Sequence, residues 1–321
     1  MQINHIRTAG LFWGLLLLAG TLAGQRKAPL SLWQNTAEKD SILNFVAAVT
    51  DSRGPDFVPV AARIAVFDFD GTVGCEKPDY MEVIVAMHQL CNTAQVQPAL
   101  QANPVYQAAC AGNLDYINDT VYSALLMAFE HYPQQTYLDS VGHFTASHNH
   151  PRFDIPYSQM YYAPMAQLID YLRKYEFTVF LCSGSQQGFV RAYGGRYLGF
   201  NQWETIGNTV ALSYDSIAPQ QNVLTRLDSF LYPSPDGDGK AILIRNRIGT
   251  APILSFGNTM GDFEMLTYTQ SNPHRNLELI LVHDDSREYI YSDSSLQAEA
   301  TARGWIQVGM KENFRRIFPQ K

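Results

Sequence analysis

The chain has 321 residues, of which 46% are hydrophobic and 17% are charged, so it can bury one large core or one core with a smaller satellite domain. Its formal net charge of -7 and its lack of a Lys/Arg cluster argue against a nucleic-acid-binding surface. A small anionic substrate is compatible with this charge, because a local cationic site can exist within an acidic protein.

The N-terminus has the pattern of a secretory signal peptide. His5 and Arg7 precede an apolar run, LFWGLLLLAGTLAG, which covers residues 11–24 and ends in small residues. We therefore expect cleavage after Gly24 and export to the periplasm or the medium. An uncleaved membrane anchor is the alternative, but the run is shorter than the roughly 20 residues that a spanning helix needs. We expect no stable membrane insertion after cleavage.

The cysteines bear on this expectation of export. An oxidising compartment allows cysteines to form disulfides. Cys91 and Cys110 lie in the same predicted helical region and are the best candidate pair, while free buried thiols are the alternative. Cys75 and Cys182 are the other two cysteines, and no CxxC spacing indicates a metal site.

The first half of the mature chain combines one buried strand with a long helical region. Helical periodicity covers SILNFVAAV at residues 41–49, and a loop signal follows at residues 51–57. The run ARIAVFDFD at residues 62–70 is rich in β-branched and aromatic residues, as in a buried parallel strand. From residue 80 to about residue 139 the periodicity is helical, which predicts an inserted helical unit.

The second half alternates strands and helices. The predicted strands are residues 177–185, 251–256 and 277–282, and the predicted helices are residues 163–175, 186–193, 240–249 and 262–268. Gly249 has the position of a glycine C-cap for the third of these helices. This alternation predicts an α/β fold with a mostly parallel sheet covered by helices on both faces.

Polar residues follow three of the predicted strands. Asp68 and Asp70 end the first, Ser183 and Ser185 end the second, and Asn258 and Asp262 follow the third. In open α/β sheets, ligands bind outside the carboxyl ends of the strands, so these groups are expected to converge on one crevice. Neighbouring carboxylates repel each other unless a cation holds them, and Mg²⁺ takes oxygen ligands together with waters and a substrate phosphate.

These residue types suit phosphoryl transfer. With a metal ion and Lys240 drawing off charge, one aspartate can attack phosphorus while the other transfers a proton. Thr72 can orient the nucleophile or a phosphoryl oxygen. Ser183 and the amides of Gly184 and Ser185, at the start of a helix, form a suitable phosphate cradle.

Four motifs in this order resemble those of the haloacid dehalogenase (HAD) superfamily: DFDGTVG, SGS, GK and GNTMGD. The resemblance implies a Rossmann-like doubly wound parallel sheet, the HAD core, with an inserted α-helical cap. The core is expected at residues 25–76 and 156–321, and the cap at residues 77–155. The cap is similar to the type 1 cap of phosphoserine-phosphatase-like members. Segments such as HPRF and VHDDSREYIYS resemble a bacterial, often exported, subgroup of HAD-like hydrolases.

The resemblance also implies roles for individual residues. Asp68 is the nucleophile that forms an aspartyl-phosphate, and Asp70 is the acid and base. The remaining roles are phosphate binding by Thr72, Ser183, Gly184 and Lys240, and magnesium binding by Asp68, Asp70, Asn258 and Asp262, with Asp70 acting through its main-chain carbonyl.

Two positions depart from the family pattern, and three further residues are candidate substrate contacts. Asn258 stands where the fourth motif usually has an aspartate, which is expected to weaken magnesium binding. Lys240 lies 18 residues before Asn258, closer than in phosphoserine phosphatases. Glu76, Arg152 and Arg191 are the candidate substrate contacts, with a surface carboxylate or a structural salt bridge as the alternative in each case.

The leading hypothesis is an exported, Mg²⁺-dependent phosphatase that hydrolyses a small phosphorylated metabolite. Phosphoserine-like, phosphocholine-like and broad acid-phosphatase substrates all fit. Two alternatives are a catalytically silent HAD-fold ligand-binding protein, suggested by Asn258, and a hydrolase of phosphoanhydrides such as pyrophosphate. No nucleic-acid partner is expected.

Overall fold

A parallel β-sheet forms the centre of the molecule. The computed structural model describes residues 29–216 and 223–319, so the predicted signal peptide at residues 1–24 lies outside the described residues. The strands are β1 (Ile64–Phe67), β2 (Thr178–Gln186), β3 (Thr205–Asn208), β4 (Val210–Asp215), β5 (Val223–Phe230), β6 (Leu254–Gly257), β7 (Leu277–Val282) and β8 (Ile306–Gly309). Six of them form one sheet in the order β3-β2-β1-β6-β7-β8, with every neighbouring pair parallel.

Helices cover both faces of this sheet. They are α1 (Ala37–Thr50), α2 (Met81–Val96), α3 (Pro104–Ala111), α4 (Leu114–Asp119), α5 (Val121–Met127), α6 (Gln134–Ser147), α7 (Ala163–Lys174), α8 (Gln187–Tyr197), α9 (Asp238–Ile248), α10 (Phe263–Gln270), α11 (Ser294–Arg303) and α12 (Met310–Asn313). Successive residues of β1 point to opposite faces. Accordingly, Ala65 and Phe67 join the large core cluster, while Ile64 and Val66 pack in a second cluster with Ile244 of α9. The predicted α/β fold class is therefore confirmed.

The strand order places a crevice beside β1. The chain moves outward from β1 to β2 and β3, and then returns to the other side of β1 with β6, β7 and β8. The carboxyl ends of β1 and β6 thus flank the point where the order reverses, which is where open α/β sheets bind ligands. The loops that follow β1, β2 and β6 all open at this end of the sheet.

The segment between β1 and β2 is largely helical, as predicted, and contains α2 to α7. Helix α5 ends at Met127, earlier than the predicted helical run at residues 122–132, and a turn follows. The disulfide between Cys91 and Cys110 is present and joins α2 to α3, while Cys75 and Cys182 are free and buried. The division of the chain into a core and a cap at residues 77–155 stays a prediction.

A two-stranded antiparallel unit, β4 with β5, is an element that the sequence did not indicate. It packs on α5 and α6, and Arg226 of β5 also reaches Gln186 of β2. Within the described ranges, none of the helices is long and apolar enough to cross a membrane.

Candidate active site

The loop after β1 carries the two predicted catalytic aspartates. Asp68 and Asp70 are both buried. Between this loop and the end of β6 there is no room for a side chain at position 71. Gly71 has a φ of +77°, and a Cβ atom there would lie 2.0 Å from Nδ2 of Asn258. A glycine is therefore what allows the two strand ends to approach each other.

Lys240, in the first turn of α9, joins two of the carboxylates. Its Nζ lies 2.7 Å from Asp68 Oδ1 and 2.5 Å from Asp262 Oδ1, and all three side chains are buried. Burial, together with the charge of Asp262, raises the pKa of Asp68 well above its usual value, although Lys240 opposes this. Burial lowers the pKa of Lys240, but the Asp262 and Asp68 charges outweigh it, so that the pKa is raised and the amine stays charged.

Asp70 is held by two serines from the end of β2. The hydroxyls of Ser183 and Ser185 donate to Asp70 Oδ2 at 2.9 and 2.8 Å. Burial raises the pKa of Asp70 to about 6, although the two serine hydrogen bonds act in the opposite direction. A carboxyl group with a pKa near the working pH is suited to donating and accepting a proton.

The loop after β6 places Asn258 and Asp262 against the first loop. Asp262 Oδ2 accepts hydrogen bonds from the amides of Asn258 (2.8 Å) and Thr259 (3.1 Å), which fixes the start of the following helical turn. The Thr72 hydroxyl donates to Asn258 Oδ1 at 3.3 Å, and Asn258 Nδ2 donates to Glu76 Oε1 at 3.4 Å. The amide of Asn258 is therefore held on both sides.

The oxygen atoms of this cluster suit a hard cation such as Mg²⁺, which prefers carboxylate and carbonyl ligands. Asp68, the main-chain carbonyl of Asp70 and the Asn258 amide are such donors. Asp70 Oδ1 is buried and has no hydrogen-bond partner in the described part of the chain. Residues 29–216 and 223–319 contain no group of three His, Cys, Asp or Glu side chains that could hold a metal ion. The expected donor set does not require one, because it includes a main-chain oxygen and an amide.

A cavity of about 230 Å³ opens in front of the aspartates. One side comes from the core, including Asp68, Lys240 and the loops around Ser185 and Thr259. The opposite side comes from the helical segment after β1. That side is lined by Tyr80, Glu82, Val83, Val121, Tyr122 and Leu125, whereas Glu76 lines the cavity from beside the loop after β1. The volume fits a small organic phosphate.

Glu82 is a buried carboxylate of this cavity that the sequence interpretation missed. It lies in the first turn of α2 and is almost completely buried. Its carboxylate accepts hydrogen bonds from the Gln186 amide (2.9 Å) and the Tyr137 hydroxyl (3.3 Å). Burial raises its pKa to about 7. The sequence did contain a signal for it, namely an acidic residue within the apolar start of a predicted helix. A buried carboxylate usually has a partner or a function.

Most of the predicted site residues meet at this cavity. Those that line it are Asp68, Asp70, Glu76, Gly184 and Lys240. A second layer stands directly behind them and consists of Thr72, Ser183, Asn258 and Asp262.

Two predicted substrate contacts are not brought to the cavity. Arg152 stacks over Tyr289, with 4.1 Å from its Cζ to the ring centroid, and donates to the Ser286 carbonyl. Arg191 donates to the Gln202 carbonyl at 3.0 Å. Both side chains are engaged elsewhere, and neither lines the cavity. The geometry therefore gives no support to a substrate-binding role for either arginine.

Comparison with known proteins identifies the fold. No protein-family model matches the chain, and no curated protein matches it. A conserved protein of unknown function from Anaerococcus prevotii is 15% identical with a TM-score of 0.54, and the match covers 83% of this chain and 90% of that one. A protein of unknown function from Bordetella pertussis is 12% identical with a TM-score of 0.51, covering 77% and 97%.

A weaker structural match is a HAD family hydrolase from Salmonella enterica serovar Typhi. It is 14% identical with a TM-score of 0.41, and the match covers 76% of this chain and 66% of that one. At these identities the comparisons establish an α/β fold shared with the two proteins of unknown function.

Proposed function

We propose that this chain is a HAD-type phosphatase that hydrolyses a small phosphomonoester through an aspartyl-phosphate on Asp68. The observation that carries the proposal is the cluster at the end of β1. There Lys240 Nζ lies 2.7 Å from Asp68 Oδ1, and Ser183 and Ser185 hold Asp70. Phosphoryl transfer requires mainly positioning and charge stabilisation. The cluster supplies a nucleophile, a proton donor and a fixed cation for that purpose.

The reaction proceeds in two displacements. In the first, an Asp68 carboxylate oxygen forms a bond to phosphorus, the bond from phosphorus to the alcohol oxygen breaks, and Asp70 gives its proton to that oxygen. In the second, a water oxygen attacks the same phosphorus, Asp70 takes the water proton, and the bond from phosphorus to Asp68 breaks. Asp70 therefore has to be protonated at the start, and its pKa of about 6 places a protonated fraction within reach of neutral pH.

Magnesium fits the same cluster. Asp68, the main-chain carbonyl of Asp70 and the Asn258 amide would hold it, with Asp262 alongside. When bound, it would supply positive charge to the oxygens of the transferring phosphoryl group. Lys240 would neutralise another of those oxygens, and Gly184, which lies in β2 three residues before α8 rather than at the predicted helix start, would present its amide to the phosphate.

The far side of the cavity favours an alcohol that carries an ammonium group. Glu82 lines that side together with Tyr80 and Tyr122. Carboxylates and aromatic faces both attract an organic cation. Among the small substrates that the sequence left open, the phosphoserine-like and phosphocholine-like classes match this lining best. The helices that supply it would act as a cap over the reacting phosphate.

Export is a separate part of the proposal, and it rests on residues 1–24 of the sequence alone. Expression of the full chain in a bacterial host, followed by cell fractionation and N-terminal sequencing, would test it. We expect a processed chain that begins at Gln25 outside the cytoplasm. A membrane-bound chain of full length would indicate an uncleaved anchor instead.

The central experiment measures phosphate release by residues 25–321 on a panel of small phosphomonoesters and pyrophosphate, with and without Mg²⁺. The decisive variant is Asp68→Asn, which removes the nucleophile and keeps the shape of the side chain. Asp170→Asn on α7 is the matched control, because its side chain is 77% exposed. We expect release that depends on magnesium, is lost in Asp68→Asn and is unchanged in the control.

The alternatives make different predictions for the same panel. A phosphoanhydride hydrolase would release phosphate from pyrophosphate in preference to every monoester. A silent binding protein would release none, and Asp68→Asn would behave as the parent does. Release that persists in Asp68→Asn would overturn the assignment of the nucleophile.

A further inference from the structure

The contact between Asn258 and Glu76 explains why an amide stands at a position where a carboxylate is expected. Asn258 Nδ2 donates to Glu76 Oε1 at 3.4 Å, and Thr72 donates to Asn258 Oδ1 at 3.3 Å. If the amide were reversed, its oxygen would face the Glu76 carboxylate. The Glu76 charge therefore determines which end of the amide points toward Thr72 and which toward Glu76.

Glu76 is a fixed and poorly compensated charge. It is 4% exposed, and its ion pair with Lys77 is long, with 4.0 Å between Nζ and Oε1. Tyr291 lies beside it, and the Tyr291 hydroxyl is 3.1 Å from His283 Nε2. That tyrosine in turn stacks on His283, with 4.1 Å between ring centroids.

His283 anchors the arrangement to the first loop. Its Nε2 lies 2.8 Å from the Gly71 carbonyl, and its Nδ1 lies 3.3 Å from a carboxylate oxygen of the buried Glu288. A Cβ atom on Gly71 would come within 2.8 Å of Glu76 Cδ. Glu76 is thus packed against the catalytic loop and cannot swing out to solvent without disturbing it.

We propose that Glu76 is a positioning residue for the magnesium centre and works as a pair with Asn258. The inference rests on the proposed function. Glu76 orients the Asn258 amide, and it supplies beside the centre the negative charge that an aspartate at position 258 would carry. An aspartate at position 258 would instead place two carboxylates in contact, and such pairs repel in a buried site. Positions 76 and 258 together therefore carry a single negative charge.

The test is a double-variant cycle with Glu76→Gln, Asn258→Asp and the combined variant. One measurement is the melting temperature of the magnesium-free protein, and the other is Mg²⁺ binding by calorimetry at pH 7.5. Glu312→Gln on α12 is the control, because it removes one charge at an exposed position. Neither measurement depends on turnover.

We expect three results. Asn258→Asp alone lowers the melting temperature by several degrees, and the added Glu76→Gln restores it. Glu76→Gln alone weakens Mg²⁺ binding about tenfold, the lower end of the range for residues that orient metal ligands. The combined variant returns the affinity to within about threefold of the parent, whereas Glu312→Gln leaves it unchanged.

Each contrary result overturns the inference. Additive effects of the two substitutions on melting and on affinity would show that the positions act independently. If Glu76→Gln bound Mg²⁺ with the affinity of the parent, the Glu76 charge would have no part in magnesium binding. Failure of the combined variant to fold would contradict the expected rescue. If the parent itself bound no Mg²⁺, the magnesium part of the proposed function would fail as well, which separates that outcome from failure of the pair alone.

Discussion

At the scale of single residues, Gly71 determines how closely the loops after β1 and β6 approach. Its φ of +77° is a left-handed conformation, and a Cβ atom there would meet Asn258 Nδ2 at 2.0 Å. Gly304 provides a control, because it has the same φ of +77° and a Cβ atom there would have no other atom within 4 Å. Comparing the same substitution at the two glycines therefore separates the cost of the left-handed backbone from the cost of a steric clash.

We expect Gly304→Ala to cost about 1–2 kcal/mol of unfolding free energy, from the left-handed backbone alone. Gly71→Ala should cost roughly 1–3 kcal/mol more, because the new methyl group displaces Asn258. Denaturant unfolding of both variants measures the difference. Equal losses would show that the loop after β6 has room to move away.

The charged lining of the cavity leads to a prediction about the leaving group. Glu82 is buried on the far side, and Tyr80 and Tyr122 lie on the same side. Choline phosphate and 3,3-dimethylbutyl phosphate have nearly the same shape, but only the first has a cationic head group. We expect kcat/KM to be about tenfold higher for choline phosphate, which corresponds to roughly 1.4 kcal/mol in the transition state.

Glu82→Gln checks the origin of that preference. At pH 8, above the Glu82 pKa of about 7, the substitution removes the charge and keeps an acceptor for the Gln186 main-chain amide. The ratio of kcat/KM between the two substrates should then fall by several-fold, chiefly through loss of the charged substrate's advantage. An unchanged ratio would assign the preference to other groups of the lining.

At the scale of secondary-structure elements, the sequence predicts the four inner strands of the sheet and misses its two edge strands, β3 and β8. Strands β1, β2, β6 and β7 were predicted because their residues form apolar runs that are inaccessible in the structure. Strands β4 and β5 were missed because many of their side chains, including Tyr214 and Leu224, are exposed and carry no hydrophobic pattern. Their pairing depends on contacts with α5 and α6, which a local pattern cannot show.

The same distinction applies to the candidate site. Asp68, Asp70 and Asp262 follow buried strands, so their convergence could be predicted from the rule for strand ends. Glu82 reaches the cavity only because the first turn of α2 lies against the end of β2, and no spacing in the sequence contains that information. Arg152 is the reverse case, since proximity in sequence to the helical segment suggested a substrate contact and the folded chain directs it to Tyr289 instead.

Strand β7 contains a buried glutamate whose effect on stability can be measured. Glu278 is 6% exposed, and its Oε1 has no hydrogen-bond partner in the described residues. Burial raises the pKa of Glu278 to about 7. The folded state therefore holds the proton more tightly than the unfolded state, and stability is lost as the pH rises from the ordinary glutamate pKa toward 7.

We expect the parent to lose about 2 kcal/mol between pH 5 and pH 8 through this group, and Glu278→Gln to lack that loss. The measurement is the unfolding free energy of each protein at both pH values. The difference between parent and variant removes the contribution of the other titrating groups, which the two proteins share. Glu312→Gln serves again as an exposed control. A parallel pH dependence in parent and variant would mean that Glu278 finds a partner in solution.

At the scale of the whole molecule, Arg226 connects three parts of the fold. It lies on β5 and is 1% exposed. Its guanidinium donates to Gln134 of α6 (3.2 Å) and to Gln186 at the end of β2 (2.5 Å). It also stacks over Tyr137, with 3.9 Å from Cζ to the ring centroid. The β4–β5 unit, the helical segment and the central sheet therefore share one buried cation.

Removing this cation should loosen the helical segment over the cavity rather than unfold the sheet first. Arg226→Ala leaves Gln134 and Gln186 without their donor and deprives Glu82 of a neighbouring positive charge, for a cost of about 3 kcal/mol. Hydrogen exchange should accelerate in α2 and α6 more than in β1 and β6. Arg303→Ala is the control, because Arg303 pairs with Glu299 on the surface at 3.0 Å, and such pairs contribute less than about 1 kcal/mol. Uniform acceleration across the sheet and the helices would show that Arg226 supports the fold as a whole and does not act mainly on the helical segment.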